Sequence, residues 1–257
     1  ALQGKVGYGT AFALNSMEGT TATGINNSTL EAQRTLALNS NNDSLIVSAA
    51  GSLGSGKNFG FAGTVAINDM NSVVESSITD STVVAGSRVS VHATDDSSIL
   101  SISGAVVAYD GSGFGGAFAL NQVNQEVNAS IAGSEVMADR VTRVRATANG
   151  DIKAFGVGVA GQEWSGGAGS MAINRLDSTV DARVTQSLVE STRGVVVLAD
   201  SRGEVGSYAG GFAGVGTVAV GAAVSLNEID AAVASKVVDS IIATTAGLVR
   251  VSGAANA

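Results

Sequence analysis

Histidine, serine and aspartate are the residue types that could give this chain hydrolytic chemistry. His92 is the only histidine among the 257 residues, so a Ser-His-Asp triad would have to use it. It lies between Val91 and Ala93 in a segment where apolar and polar residues alternate, which is typical of a half-buried strand. The two apolar neighbours are expected to face inward, so we interpret His92 as an exposed surface residue.

Paired carboxylates are the groups that a β-helical polysaccharide lyase or hydrolase would need. Asp95 and Asp96 form the closest pair, in a segment that we interpret as a turn. Asp43 and Asp200 fall near the same phase of the chain, which indicates a recurring turn residue. Weak binding of Ca²⁺ at these turn aspartates is the alternative, although the nonapeptide calcium repeat is absent. We expect no catalytic residue, no metal site and no cofactor.

Two glycine-rich segments resemble phosphate-binding loops. Gly51–Asn58 ends in asparagine where Ser or Thr would hold magnesium, and the residues after it predict a strand instead of the required helix N-terminus. The glycines Gly111, Gly113 and Gly116 have the spacing of a dinucleotide loop, but they belong to a turn between strands. Neither segment therefore predicts nucleotide binding.

Several arginines recur at the same position of a repeating pattern in the chain, and others lie close to that position in the sequence. We interpret them as a strip on a solvated face with acidic neighbours. A contact strip for an anionic host or matrix glycan is the alternative. Trp164, the only tryptophan, falls in a variable turn, where stacking on a sugar is the alternative to an incidental exposed ring. The arginines concerned are Arg34, Arg140, Arg143, Arg145, Arg183 and Arg193.

Composition excludes several classes of function. A net charge of −8 and a charged fraction of 14% argue against a nucleic-acid surface, which needs a basic patch. The absence of cysteine excludes disulfides and thiolate metal sites. The chain also has no proline, and proline cannot donate to a ladder hydrogen bond. This absence fits a chain that is paired in sheets along most of its length.

The elements that must position these residues belong to a 53-residue repeat. The motif Gly115–Asn121 occurs five times, and a serine repeats with the same period. Near the end of the chain the repeat register shifts by one residue, so that Leu248–Val251 is displaced relative to Val195–Val197. A fixed period of this size is typical of a solenoid, propeller or array. The two polar columns are Asn15, Asn68, Asn121, Asn174 and Asn227, and Ser28, Ser81, Ser134, Ser187 and Ser240.

Alternating segments in the second unit predict half-buried strands at Val73–Ile78, Ser81–Ala85 and Arg88–Ala93. Ile99–Tyr109 is apolar on both faces, as in a strand that is buried on both sides. Each unit offers about five strand candidates. Residues that favour turns lie between them, at Asn26–Ser28, Asn39–Asp43, Gly86, Asp95–Asp96, Asp110–Gly113 and Asn149–Gly150.

Two segments have a competing interpretation as helices. Ala231–Ala243 is assigned to strands because its equivalents in other units alternate and carry β-branched residues. Val205–Leu226 has 22 residues without a charge, enough for a membrane helix. The equivalent stretch one unit earlier contains Gln162–Trp164, which a spanning helix would carry at a cost. We therefore interpret Val205–Leu226 as a pair of buried strands and expect no membrane span.

These elements predict an all-β fold, a β-solenoid of the parallel β-helix type built from 53-residue repeats. Residues 1–257 form a single continuous array of about 4.8 units, which we expect to be part of a longer chain or of a stacked filament. A propeller is the competing architecture, but its kelch and WD signatures are absent. The pattern leaves open whether each unit makes one wide turn or two smaller ones.

Each column stacks the same type of residue from successive units, and this residue type predicts the structural role of the column. The asparagine and serine columns are expected to form structural ladders along the axis. Three apolar columns are expected to form the core. These columns are Leu14, Ile67, Leu120, Ile173 and Leu226; Ile25, Ile78, Ile131, Val184 and Val237; and Leu30, Val83, Val136, Val189 and Ile242.

The stretches Gly116–Asn121, Ala129–Ala138 and Val89–Ala93 carry a resemblance to a known class of protein. Units of this form resemble the repeats of very large bacterial exoproteins, the filamentous-haemagglutinin-like adhesins and leukotoxin-type repeat exoproteins. The resemblance covers essentially the whole chain. It implies a secreted β-helical fibre at the cell surface that acts as an adhesin, a biofilm scaffold or a toxin stalk. It implies no catalytic residues.

The expected function is therefore structural: a segment of an extracellular fibre or stalk, with its own repeat or further copies as end-to-end partners. A subunit that self-assembles into an extracellular filament or sheath is the second hypothesis. A β-helical polysaccharide lyase is the third, and it is disfavoured because no acid, base and cation share one face. We expect no nucleic-acid partner and an extracellular or cell-surface location.

Overall fold

The computed structural model describes residues 6–162, 165–214 and 218–256, which form strands joined by short turns. Each 53-residue unit gives a long strand, a strand of four residues and a second long strand, except that the last long strand is short. The strands are β1 Val6–Asn26, β2 Thr29–Ala32, β3 Thr35–Gly56, β4 Phe59–Thr79, β5 Thr82–Ala85, β6 Arg88–Tyr109, β7 Ser112–Ala132, β8 Glu135–Ala138, β9 Val141–Gln162, β10 Ser165–Thr185, β11 Leu188–Ser191, β12 Gly194–Ala213, β13 Val218–Val238, β14 Ile241–Thr244 and β15 Leu248–Asn256.

The strands form three parallel sheets with one strand from every unit in each sheet. Sheet 1 has the order β1-β4-β7-β10-β13, sheet 2 the order β2-β5-β8-β11-β14, and sheet 3 the order β3-β6-β9-β12-β15. Partners across sheets 1 and 2 are one repeat period apart in the sequence, as in the pairing of Asn68 with Asn121. One unit is therefore one wide coil, and the prediction of an all-β parallel β-solenoid is confirmed.

The last coil contains one additional residue in the turn before β15. Gly194 pairs with Leu248 and Val195 with Val249, an offset of 54. This register confirms the slip predicted at Leu248–Val251. Gly247 lies in the enlarged turn, where a Cβ would come within 1.9 Å of the Arg193 carbonyl oxygen. The turn accommodates the additional residue because glycine allows this close approach.

Sheets 1 and 3 face each other, and apolar side chains fill the space between them in three clusters. The cluster next to sheet 2 is the largest and includes Ile78, Ile131 and Val136. A second cluster lies in the middle of the sheets, at Ile46, Met70, Ile99, Val123, Ile152 and Leu176. The third, at the opposite edge, is built mainly from small residues, namely Ala62, Ala105, Val107, Ala160 and Ala168.

Two of the three predicted core columns are inside, and the third prediction is wrong. Ile78 and Ile131 are fully buried, as is Val136 of the column after the serines. The column from Leu14 to Leu226 faces outward instead, with Leu14 63% and Leu226 56% exposed. Side chains alternate between the faces of a strand, so the inward-facing asparagine of each motif turns the preceding aliphatic residue outward. The outward residues are Leu14, Ile67, Leu120, Ile173 and Leu226.

Three of the predicted turns are also wrong. Asn39–Asp43, Asp95–Asp96 and Asn149–Gly150 lie inside β3, β6 and β9, so each coil has three strands where about five were predicted. The polar side chains pair between coils and remain in the sheet, as in the hydrogen bond from Asn149 Nδ2 to Asp96 Oδ1 at 2.6 Å. The turns predicted at Asn26–Ser28 and Gly86 are confirmed. The turn predicted at Asp110–Gly113 is shorter, because only Asp110 and Gly111 lie between strands and β7 begins at Ser112.

The segments with a competing helix interpretation form strands. Ala231–Ala243 spans the end of β13 and the beginning of β14. The described part of Val205–Leu226 lies mainly in β12 and β13, while residues 215–217 fall outside the described residues. Within residues 6–162, 165–214 and 218–256, no helix has the length and apolar character that crossing a membrane requires.

Candidate functional site

The asparagine column forms a continuous row of side-chain hydrogen bonds along the inner face of sheet 1, and it links all five coils. Asn68 Nδ2 donates to Asn121 Oδ1 at 2.7 Å, and Asn121 Nδ2 donates to Asn174 Oδ1 at 2.7 Å. Asn15 donates to Asn68, and Asn174 donates to Asn227, each at 2.8 Å. Each interior asparagine therefore accepts from the preceding coil and donates to the following one.

The amide ladder positions the coils because it lies where solvent cannot replace it. Asn68, Asn121 and Asn174 have no exposed surface, and a buried amide without partners costs about 1–3 kcal/mol. A shift of one residue between coils would separate every amide from its partner and turn the asparagines to the outer face. The ladder thus requires each new coil to take the same register as the one before it.

A second row of hydrogen bonds lies in the turns between sheets 1 and 2. The serine hydroxyl of each turn donates to the carbonyl two residues before it, as Ser134 Oγ does to Ala132 O at 2.7 Å. The same oxygen accepts from the preceding coil, where Ser81 N–H donates to Ser134 Oγ at 3.1 Å. The residue before each serine has a left-handed backbone, with φ between 47° and 58°. The residues are Asn27, Asp80, Gly133, Gln186 and Asp239.

Replacing Ser134 with alanine is expected to lower the free energy of unfolding by about 1–2 kcal/mol, because it removes one hydrogen bond and leaves the buried N–H of Ser81 without its acceptor. Ser28→Ala is the matched control, since Ser28 Oγ donates to Asn26 O in an exposed turn. We expect it to cost less than about 0.5 kcal/mol. Urea unfolding of the two variants measures the difference, and equal losses would contradict a role for the row.

Asp95 joins the two long sheets through buried hydrogen bonds. Its carboxylate accepts from Asn42 Nδ2 at 2.8 Å, from Ser97 Oγ at 2.8 Å and from Ser72 Oγ of sheet 1. The next coils connect the sheets in the same row, through Gln125 Nε2 to Asn149 O and through the paired hydroxyls of Ser178 and Ser201. The carboxylate is thus held by donors of the protein and is not directed at solvent.

The predicted carboxylate pair is therefore divided between two faces. Asp95 is inside the solenoid, whereas Asp96 is exposed on the outer face of sheet 3. Two carboxylates on opposite faces of one strand cannot act together on one glycosidic bond. Among the described residues, no group of three or more His, Cys, Asp or Glu side chains could hold a metal ion. The 53-residue period pairs Asp95 with Asn42. This pairing of two polar residues one period apart was the signal in the sequence for a ladder instead of a turn.

His92 lies on the outer face of sheet 3, as predicted, but it is only partly exposed. Its Nε2 is 3.1 Å from Ser90 Oγ. Burial lowers the pKa of His92, and the positive charges of Arg145, Arg143 and Arg88 lower it further. A groove of about 400 Å³ beside it is lined by Arg143, Arg145 and Arg250 among others. Arg143 and Arg145 belong to the predicted arginine strip, whereas Arg250 was missed because it joins the column of Arg143 only through the shifted register of β15.

The stability of the fold is expected to decrease as the pH falls below 6.5, the ordinary pKa of histidine. His92 has a lower pKa in the folded chain, so the unfolded chain binds more protons in this window and unfolding is favoured. His92→Asn, which introduces the residue that Asn39 supplies in the first coil, should reduce the stability lost between pH 7 and 5. Urea midpoints at both pH values test this, and an unchanged loss in the variant would be the contrary result.

The other sequence-level candidates do not converge on one site. Asp200 forms an ion pair with Arg145 at 3.0 Å. Gly51–Asn58 is the end of β3 and a turn, followed directly by β4, so no helix N-terminus is present to bind phosphate. Trp164 lies outside the described residues. Of the predicted arginine strip, Arg143 and Arg145 lie together in the groove, whereas Arg183 pairs with Asp181 on sheet 1.

Comparison with known proteins gives no relative from which a function could be transferred. No family model matches the chain, and no curated protein or solved structure matches it either.

Proposed function

We propose that this chain is a structural, non-catalytic segment of an extracellular fibre or stalk, in a bacterial surface adhesin or exoprotein. The observation that carries the proposal is the amide ladder from Asn15 to Asn227, which keeps one register through five coils. A rod needs such a repeated cross-section, because each coil is stabilised mainly by its two neighbours.

The direction of the hydrogen bonds supports a mechanical role. In all three sheets the strands run across the axis, so the hydrogen bonds between coils run along it. Tension along the rod is then shared by the long ladders of sheets 1 and 3 and by the buried amides between them. A stalk that holds a distant tip away from a cell requires this distribution of load over many bonds.

Labelling of intact cells tests the location and the role together. Antibodies raised against the folded 257-residue chain should bind unpermeabilised cells of the source organism and should decorate thin fibres in electron micrographs. Antibody against a cytoplasmic protein of the same cells serves as the negative control. Binding that occurs only after permeabilisation would contradict the proposal.

A self-assembling filament subunit is the second candidate function, because the parallel ladders that join one coil to the next could join one copy to the next in the same way. Strands β1, β2 and β3 at one end, and β13, β14 and β15 at the other, are edge strands of their sheets. Unpaired edge strands are templates for pairing with another chain. Negative-stain micrographs over a concentration series distinguish the two candidates. Long filaments of uniform width that grow with concentration would support the subunit, and short rods of constant length would support the fibre segment.

A further inference from the structure

One half of the outer face of sheet 1 is apolar in every coil. Five outward positions on each of five strands carry no charged residue. Internal coils, which have neighbours on both sides, still expose large side chains here: Phe114 is 51%, Phe61 40% and Met171 39% exposed. Monomeric proteins rarely leave so large a continuous apolar area in water. The columns begin at Val6, Tyr8, Thr10, Phe12 and Leu14, and each continues in register through sheet 1.

The relief of this face is a groove between two ridges. The column of Gly116 forms the floor, with Thr10, Gly63, Gly169 and Ala222 in register. The column of Phe118 forms one ridge, and Phe61 belongs to the other. The groove measures about 830 Å³ and crosses all five coils. Its depth results from the missing side chains of the glycines.

A second copy fits this relief in one simple arrangement. A two-fold axis parallel to the solenoid axis, placed between the columns of Gly116 and Phe118, reverses the order of the columns. The Phe118 ridge of each copy then lies over the Gly116 groove of the other, and the Phe114 column lies opposite the Leu120 column. A two-fold contact of this kind is closed, so it gives a dimer of two parallel rods.

The area of the face is sufficient for such a dimer. Five strands extend about 24 Å along the axis, and the four facing columns extend about 20 Å across it. This corresponds to roughly 500 Å² per copy and roughly 1,000 Å² in total, about the minimum area expected of a specific interface. The outer face of sheet 3 is less suitable, because Lys153 and its ion-pair partner Asp151 interrupt its apolar area.

We propose that the apolar half of sheet 1, defined by the columns of Phe114, Gly116, Phe118 and Leu120, is a lateral interface that pairs two copies of this chain as parallel rods. This inference is independent of the location proposed above.

Charged substitutions in the groove and on the ridge beside it test the interface. Gly116→Lys fills the groove without disturbing the fold, because a Cβ at this position meets no heavy atom within 4 Å. Phe118→Glu places the opposite charge on the ridge. Thr179→Lys and Thr179→Glu are matched controls, since Thr179 is exposed on the same face of sheet 1 but outside the apolar columns. Circular dichroism and urea midpoints establish that all four variants are folded.

Sedimentation velocity then measures association up to about 100 µM, the range expected for an interface at the lower size limit. We expect a dimer for the wild type and for both Thr179 variants, and at least a tenfold weaker dimer for Gly116→Lys and Phe118→Glu. Association that is equal in all five chains would place the contact at the open ends and would overturn the proposal. A wild-type chain that stays monomeric would also overturn the proposal. The same holds if the monomer binds phosphatidylcholine vesicles through this face, because the partner would then be a lipid surface and not a second copy.

A distance between spin labels tests the arrangement itself. The chain has no cysteine, so Gln122→Cys gives one label per copy. The parallel two-fold dimer predicts a distance of roughly 35 Å between the two Gln122 positions, from five residue steps on either side of the axis. End-to-end stacking of five coils predicts roughly 24 Å instead. Only the longer distance, lost in the Gly116→Lys background, agrees with the proposed interface.

Discussion

Replacing Asn121 with leucine is expected to lower the free energy of unfolding by about 4 kcal/mol. The substitution keeps the number and branching of the side-chain heavy atoms but leaves Asn68 Nδ2 without an acceptor and Asn174 Oδ1 without a donor. Both groups are fully buried, so water cannot replace the lost partner. Urea unfolding monitored by circular dichroism measures the loss.

The same substitution at the end of the ladder is the control. Asn15→Leu removes one hydrogen bond, to Asn68, at the open first coil. It leaves one buried group, Asn68 Oδ1, without a partner, whereas Asn121→Leu leaves two, so we expect about half the loss, roughly 2 kcal/mol. If Asn121→Leu were as well tolerated as Asn15→Leu, the amide ladder would not be what holds the coils in register.

Replacing Ile131 with alanine is expected to lower the free energy of unfolding by about 3–4 kcal/mol. Ile131 is fully buried in the central coil, within the large cluster next to sheet 2. Truncating it leaves a cavity between coils that have stacked neighbours on both sides, which limits how far the site can collapse. Urea unfolding again measures the effect.

Leu120→Ala is the matched control on the same strand. Leu120 faces outward on β7, so its truncation should cost less than about 1 kcal/mol. The comparison decides which face of the strand is inside. A large loss for Leu120→Ala together with a small loss for Ile131→Ala would reverse the assignment of the two faces.

The period of the repeat was enough to predict the solenoid, because a column that recurs at a fixed spacing can align only when each coil stacks on the last. The number of turns per unit could not be predicted. Long strands such as β4 contain polar residues among the side chains that face the interior, including Asn68 and Ser72. In the sequence such residues resemble interruptions between shorter strands. Only the pairing of these side chains with other coils or with the facing sheet shows that the strand continues.

The orientation of the apolar motif was the main error, and its cause is steric. Both faces of Gly115–Leu120 are apolar, so hydrophobicity cannot identify the inner one. Sheets 1 and 3 approach closely at this edge: a Cβ on Gly158 would lie 2.4 Å from the carbonyl oxygen of Gly169. Only small residues such as Ala119 fit between them, and the larger Phe118 and Leu120 are placed outside. Residue size, and not hydrophobicity, was the informative signal.

The structure makes each 53-residue unit one coil of a continuous solenoid. The most direct test of this is to measure the length of a rod to which further units have been added. Five further copies of residues 69–121, inserted after Asn121, should lengthen the particle by about 24 Å at a constant cross-section, because neighbouring strands lie about 4.8 Å apart. Small-angle X-ray scattering measures both quantities. An increase of about 48 Å would mean two turns per unit. A wider particle of unchanged length would contradict the solenoid and the structural role proposed for it.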